Sequence, residues 1–267
     1  MAMLFFAHRY SFSHIFLFFI ERSMQKISVI TPTLNRASHL MRCYACFQSQ
    51  HYQNAEWLIY DDSPLHNDFF ARLDEKNIFY THSPIKRTIG EKRNFLINQA
   101  SGDLIINFDD DDYYAPTYLS EMSKLMDASQ CDLLNLRGFF LYHSILNIFA
   151  YWDLNIKTGQ HYKMSRTELE MVFFDESNNQ GLLDTHLGYG FGWAFKKKIW
   201  EKSPYQNIDW NEDGDFALRA LRHGFTLNGI MDDKGLCLHH IHGANISVSF
   251  PQYILPHNLL YHFFNQL

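Results

Sequence analysis

Four consecutive aspartates, Asp109 to Asp112, stand directly behind the apolar run Leu104-Ile105-Ile106-Asn107-Phe108. A run of that length and composition reads as a buried strand, which delivers a dense negative cluster to its own C-terminal end. Open α/β sheets bind their ligands at those ends. Clustered like charges repel one another, and an ordered strand end keeps them when a cation shares the site, most simply a hard divalent ion with oxygen ligands. A solvated acidic turn is the plainer alternative. Tyr113, Tyr114 and Pro116 follow the cluster closely, which favours metal or phosphate chemistry.

The chain before this cluster alternates. Residues 27–31 form a short apolar strand, stopped by Pro32, and residues 38–49 carry helical spacing. Residues 56–60 make a second strand ending in Asp61-Asp62-Ser63-Pro64, and residues 78–80 a third. Residues 90–100 read as a helix closed by Ser101-Gly102, with glycine as the C-terminal cap. Such alternation implies an α/β fold, a Rossmann-like, mostly parallel central sheet flanked by helices, with polar residues gathered at the strand C-termini.

Composition bounds the function classes. The chain has 267 residues, 46% hydrophobic and 19% charged, enough to bury a sizeable core. Its 29 acidic and 23 basic residues leave a net charge of −6, so no broad basic surface for DNA or RNA is indicated. Cys43-Tyr-Ala-Cys46 has redox or half-zinc spacing, but no second cysteine pair follows it, and Cys131 and Cys237 stand alone. Within a helical pattern these cysteines read as small hydrophobes, and a reducing cytoplasm without disulfides is expected. His8, Arg9 and His14 interrupt the apolar N-terminus, leaving runs far shorter than the ~20 residues that span a bilayer. Residues 1–23 therefore read as an extension from a mis-assigned start, with a weak interfacial anchor as the alternative.

Beyond Pro116 a helix is expected over 118–128 and a strand over 133–136, while 139–162 is crowded with aromatics and shows no clear period. Gly188-Tyr-Gly-Phe-Gly192 reads as a loop whose backbone closely approaches a ligand or another element; its spacing is not that of a dinucleotide fingerprint. Asn211-Glu212-Asp213-Gly214-Asp215 opens a helix over 216–223, with Asn211 as candidate N-cap and Gly224 as stop. His239, His240 and His242 form a tight group, in which an HxH pair shares one strand face. No internal linker divides the chain.

Taken in order, residues 26–247 resemble the family-2 glycosyltransferases of GT-A fold. Ile27-Ser-Val-Ile-Thr-Pro-Thr-Leu-Asn-Arg36 looks like the family's opening strand and nucleotide-contacting turn, and Ile59-Tyr-Asp-Asp-Ser63 like its second strand. Gly90-Glu-Lys-Arg-Asn94 resembles the helix start with a nucleotide-side Arg. Asp109 to Asp112 with Pro116 fits the DxD metal motif, Glu212-Asp213 with Asp215 and Arg219 the helix that carries the catalytic base, and His242-Gly-Ala-Asn245-Ile-Ser247 the late H-G-x-N-x-S segment.

The resemblance implies an inverting transfer from a nucleoside-diphosphate sugar, a UDP-sugar favoured, to a hydroxyl of a glycan or lipid-linked acceptor. Thr31, Pro32, Thr33, Asn35, Arg36, Arg93, Asp109 and Asp110 would contact the donor, with Asp62 or Asp61 on the base and Lys92 a weaker cation than Arg93. Asp109, Asp111 and His242 would hold Mn²⁺ or Mg²⁺, Asp111 most directly, with His242 tipping the preference toward Mn²⁺. Asp213 would deprotonate the acceptor. A carboxylate is a weak base, with a reference pKa of about 3.9, so burial or the Glu212 and Asp215 charges would have to raise it.

One unit is expected over 24–267, with a nucleotide-sugar half (24–116) and an elaborated acceptor and base half (117–267). Trp193 reads as a sugar platform or as core. The aromatic stretches 139–152 and 250–264 read first as core, with an acceptor wall, a homo-oligomer contact or a surface on the inner face of the cytoplasmic membrane as alternatives. Surface polysaccharide assembly would suit that placement. A nucleotidyltransferase would need a glycine-rich, basic phosphate loop after the first strand, which Pro32-Thr-Leu-Asn-Arg36 lacks; a non-catalytic binding module would not need Asp213 beside an intact DxD.

Overall fold

The computed structural model describes residues 25–244 and 248–264. The N-terminal extension, and Asn245 and Ser247 of the late motif, lie outside these residues. In chain order the elements are β1 (Ile27–Thr33), α1 (Ala37–Gln48), β2 (Ala55–Asp61), α2 (Asp68–Ala71), β3 (Ile78–His82), α3 (Ile89–Gln99), β4 (Leu104–Asn107), β5 (Tyr113–Tyr114), α4 (Tyr118–Ser129) and β6 (Leu133–His143). There follow β7 (Ile148–Asp153), β8 (Gly159–Met164), β9 (Leu169–Phe174), α5 (Gln180–Leu183), β10 (Ala194–Lys196), α6 (Lys197–Lys202), α7 (Glu212–Arg222), β11 (Leu227–Met231), β12 (Cys237–Ile241), β13 (Tyr253–Leu255) and α8 (Asn258–Phe263).

An 11-stranded sheet is built around the order β13-β7-β6-β10-β4-β1-β2-β3, in which β4, β1, β2 and β3 are parallel neighbours. Strand alternation gives this sheet two apolar faces. Ile27, Val29, Trp57 and Ile106 pack with Leu40, Cys43 and Phe47 of α1 and Met122 of α4. Ile30, Leu58 and Ile105 point the other way, against Leu96 and Ile97 of α3 and Phe216 and Ala220 of α7. Helices therefore cover both faces, as the alternating sequence predicts. All four cysteines are buried and unpaired, so the Cys43/Cys46 spacing belongs to the packed face of α1.

Two sequence expectations need correction. Pro32 does not stop β1, which runs on to Thr33. Past Ile30, β4 has ended and only β2 continues as a partner, so the missing N–H of Pro32 breaks no ladder on the open side. Gly102 does not cap α3; Ala100 ends it in an extended conformation, and a Cβ on Gly102 would come within 2.6 Å of the Lys26 carbonyl oxygen. That glycine lets the chain pass close to β1. At its other end α3 opens with a reciprocal capping box of Thr88 and Glu91.

The long β6 organises the second half. Residues 133–138 pair with β11, 138–143 with β7 and 140–143 with β12. Aromatic residues from 139 to 152 lie mostly inside: Phe139, Phe140, Phe149 and Trp152 are buried. Their period was unreadable because both faces of β6 are covered, so no polar side alternates with them. Trp193 is fully buried against Phe216 and is core.

Candidate active site

The acidic cluster begins where β4 ends, and its loop is held by one tyrosine. Phe108 and Tyr114 stack with ring centroids 3.8 Å apart, and the Tyr114 hydroxyl accepts the Asp109 N–H at 2.8 Å and donates to the Phe191 carbonyl at 3.2 Å. The four carboxylates then diverge. Asp110 accepts from the Thr33 hydroxyl and from Arg36 Nη1 at 3.3 Å. Asp111 meets the same Arg36 nitrogen and lies 3.0 Å from His242 Nε2. Asp112 turns inward to His239 Nδ1 at 2.9 Å and the His240 N–H at 2.9 Å. Asp109 is the most open of the four and lies 3.8 Å from Arg93 Nη2.

These partners set the electrostatics. Burial works to raise the Asp111 pKa, but the hydrogen bond with His242 and the Arg36 charge outweigh it and hold this carboxyl below the usual range. Burial pushes Asp110 up, and the Asp111 charge adds to it. Burial would lower His239, but Asp112 beside it lifts the imidazole to about 9. Oxygens of Asp109, Asp111 and Asp112 come within 4.8 Å of one another. Such a set of hard donors fits a divalent ion of the Mg²⁺ or Mn²⁺ kind.

Of the cavities that adjoin the cluster, two share lining residues. One of about 450 Å³ is lined by Pro32, Thr33, Arg36, Arg87, Asp110 and Asp111 among others. The second, about 190 Å³, is lined by Trp152, Tyr189, Gly190, Glu212, Asp213 and His239 among others. Arg93 and Asp109 line both. Arg93 is buried, its guanidinium 3.4 Å from Glu212 and 5.5 Å from the Tyr205 ring centre, and its Nε and Nη1 have no hydrogen-bond partner among the described residues. Buried donors left open beside a cavity suit an anionic ligand. Asp213 is fixed by two backbone donors, Gly190 N–H at 2.8 Å and Gly214 N–H at 2.7 Å. Burial pushes the neighbouring Glu212 up against the Arg93 charge.

A family model described as glycosyl transferase family 2 matches residues 28–203, which include β1, the acidic cluster and the Gly190 turn. The chain belongs to that family. Solved structures support the GT-A fold at low identity. S. aureus TarS (residues 1–349), in complex with UDP-GlcNAc, is 14% identical with a TM-score of 0.55, covering 81% of this chain and 58% of its own. The mannosyltransferase PcManGT from Pyrobaculum calidifontis, in complex with GDP-Man and Mn²⁺, is 13% identical with a TM-score of 0.56, covering 82% and 57%. An uncharacterized protein of Haemophilus influenzae is 29% identical over 96 residues, 34% of this chain and 52% of that protein. The chain thus spans little more than half the length of these relatives.

The residues singled out in this family-2 sequence differ in what they face. Pro32, Thr33, Arg36, Arg93, Asp109, Asp110 and Asp111 line the larger cavity, and Asp213 the smaller one. His242 sits on Asp111. Thr31 faces inward, donating to the Phe108 carbonyl and accepting from Trp57 Nε1, both at 2.8 Å. Asp61 is occupied by Ser63 and Tyr80, and Asp62 by Lys92 Nζ and the Arg87 N–H at 2.8 and 2.9 Å. Asn35, at a φ of 55°, turns the chain and donates its N–H to Ser63. Asn211 precedes α7 in a left-handed conformation and makes no side-chain cap, so the cap expectation fails; Gly224 closes the helix at a φ of 82°, as expected.

Sequence reading missed three contacts. Arg36, expected to contact the nucleotide and lining the larger cavity, also bridges Asp110 and Asp111. The His239–Asp112 pair and the Arg93–Glu212 pair join segments more than a hundred residues apart, beyond any spacing signal. Alternation along β12 did carry a clue to the first, since it puts His239 on the face opposite His240.

Proposed function

We propose that this chain is an inverting, metal-dependent glycosyltransferase, moving a sugar from a UDP-sugar or related donor to a hydroxyl of a glycan or lipid-linked acceptor. The observation that carries this reading is the meeting of the two cavities at Arg93 and Asp109, with the acidic cluster on one side and Asp213 on the other. A donor in the larger cavity, with its diphosphate toward the acidic cluster, would present its anomeric carbon to the smaller one.

Asp109 and Asp111, with His242, are the residues that would hold Mn²⁺ or Mg²⁺; bound there, such an ion neutralises the charge of the departing diphosphate. Arg93 supplies fixed positive charge at the junction, with donors free to meet an anion. Asp213 takes the proton from the acceptor hydroxyl as its oxygen bonds the anomeric carbon and the bond to the diphosphate breaks. The Gly190 and Gly214 N–H groups hold that carboxylate in one orientation.

The acceptor class rests on the aromatic wall of the smaller cavity, where the half-buried Tyr189 offers a face suited to a sugar ring. No helix among the described residues is long and apolar enough to cross a membrane. Work at the inner face of the cytoplasmic membrane, in surface polysaccharide assembly, extends the reading by way of a lipid-linked acceptor. UDP release from a panel of UDP-sugars, with and without Mn²⁺, tests it: turnover that needs Mn²⁺ and is lost in a folded Asp213→Asn variant supports the reading, and full turnover in that variant overturns the base assignment.

A further inference from the structure

Three imidazoles converge where α1 meets the end of β12. His39 comes from α1, His240 from β12, and His242 follows directly after it. Ring centroids are 4.8 Å apart for His39 and His242, 5.2 Å for His240 and His242, and 6.5 Å for His39 and His240. One ring nitrogen from each comes within 4.8 Å of the other two. His39 and His240 have no part in the transfer chemistry proposed above, so the cluster calls for a separate account.

The donor type decides which ion could sit there. Neutral imidazole nitrogen suits Zn²⁺, Co²⁺ or Ni²⁺ and is a poor match for Mg²⁺, the reverse of the carboxylate set beside it. We propose that His39, His240 and His242 form a second cation site for a borderline transition ion, Zn²⁺ or Co²⁺, sharing His242 with the acidic cluster.

The contacts of His240 and His242 show what an ion would replace. Arg42 Nη2 lies 3.4 Å from His240 Nδ1. A guanidinium can only donate, so this nitrogen presents its lone pair to a cation already. Arg42 is exposed and can swing into solvent to make way. The Ala244 N–H donates to His242 Nδ1 at 3.2 Å, which fixes the ring with Nε2 toward Asp111. Ligation through Nε2 requires the ring proton on Nδ1, so an ion there takes the place of the Ala244 contact. An ion bonding nitrogen at about 2.0–2.1 Å in tetrahedral geometry needs donors about 3.3 Å apart, so the rings must move in by up to about 1.5 Å, a movement for which the half-buried His39 side chain is placed.

Because His242 Nε2 now faces Asp111 at 3.0 Å, an ion on the three histidines draws that ring from the acidic cluster. Zn²⁺ bound there therefore weakens Mn²⁺ binding at the carboxylates. The inference stands apart from the transferase reading, since it concerns which ions the folded chain binds and not what it turns over.

Cobalt separates the two sites by its absorption. Untagged protein titrated with Co²⁺ is expected to develop the intense visible band of a nitrogen-rich, low-coordinate ion, bleached by added Zn²⁺. His39→Ala and His240→Ala, checked for folding by circular dichroism, are expected to weaken that Co²⁺ binding by at least the roughly tenfold that loss of even an outer-shell partner costs, while Asp111→Asn retains the band. His39→Ala should keep its Mn²⁺ signal by electron paramagnetic resonance. A band unchanged in both histidine variants, a band lost only in Asp111→Asn, or no band in folded wild-type protein would each overturn the proposal.

Discussion

The guanidinium of Arg36 lies against the carboxylate of Asp111, and the same nitrogen reaches Asp110 at 3.3 Å and comes within 3.4 Å of His242. Like charges packed at the end of β4 thus have a cation supplied by the turn after β1. This contact explains how adjacent carboxylates stay buried in the free protein. It also places a positive charge on an Asp111 oxygen that the proposed divalent ion would use.

Removing Arg36 should therefore help the ion and harm the free protein. A unit charge about 4 Å from another opposes or favours it by roughly 1–4 kcal/mol in water-like to partly buried surroundings. Arg36→Ala is expected to tighten Mn²⁺ binding without nucleotide by on the order of tenfold or more, and to lower stability measured in chelator. Calorimetric titration of Mn²⁺ and denaturant unfolding read the two effects.

Lys92 and Asp62 form a buried pair at 2.8 Å, with side chains 5% and 0% exposed. Leaving one buried charge without its partner costs about 3–5 kcal/mol. Lys92→Met is expected to lose stability of that order by urea unfolding, and Lys92→Met combined with Asp62→Asn to lose less than the sum of the two single changes.

Gly190 leaves little room for a side chain. A Cβ there would stand 3.0 Å from both Arg93 terminal nitrogens and 3.2 Å from Asp213 Oδ2. Gly190→Ala is expected to displace these two groups and cut turnover by on the order of tenfold, with a much smaller change in nucleotide affinity. Steady-state kinetics beside calorimetry separate the two.

The early half of the fold was legible because each β-α repeat carries a buried strand of one short apolar run, a polar turn and an amphipathic helix. The acidic cluster was legible for the same reason: a strand such as Leu104–Asn107 announces where its end lies. Tertiary contacts were not. Arg36 and Asp111 are 75 residues apart, and Arg93 and Glu212 further still, so nothing local distinguishes a nucleotide-facing arginine from one committed to the chain's own carboxylates. His39 was invisible as a neighbour of His242 because a helix and a strand end 200 residues apart share no period.

Asp132 gives an acid-sensitive contribution to stability. Burial works to raise its pKa, but Lys198 at 2.8 Å, the Thr226 N–H at 3.1 Å and Lys196 at 3.2 Å outweigh it and hold the carboxyl below its ordinary value. A folded-state pKa below the unfolded one means that the stabilisation is full above the unfolded value of about 3.9 and is lost as pH falls toward the folded value. Thermal melts from pH 6 downward, to on the order of pH 2, should show wild-type protein losing more stability than Asp132→Asn.

The most direct test of the donor site is calorimetric titration of UDP and GDP into the protein, with and without Mn²⁺, beside Asp111→Asn. The account expects one nucleotide to bind only when Mn²⁺ and Asp111 are both present. Equal binding in chelator and in folded Asp111→Asn, or no binding of either nucleotide to wild-type protein, would contradict it.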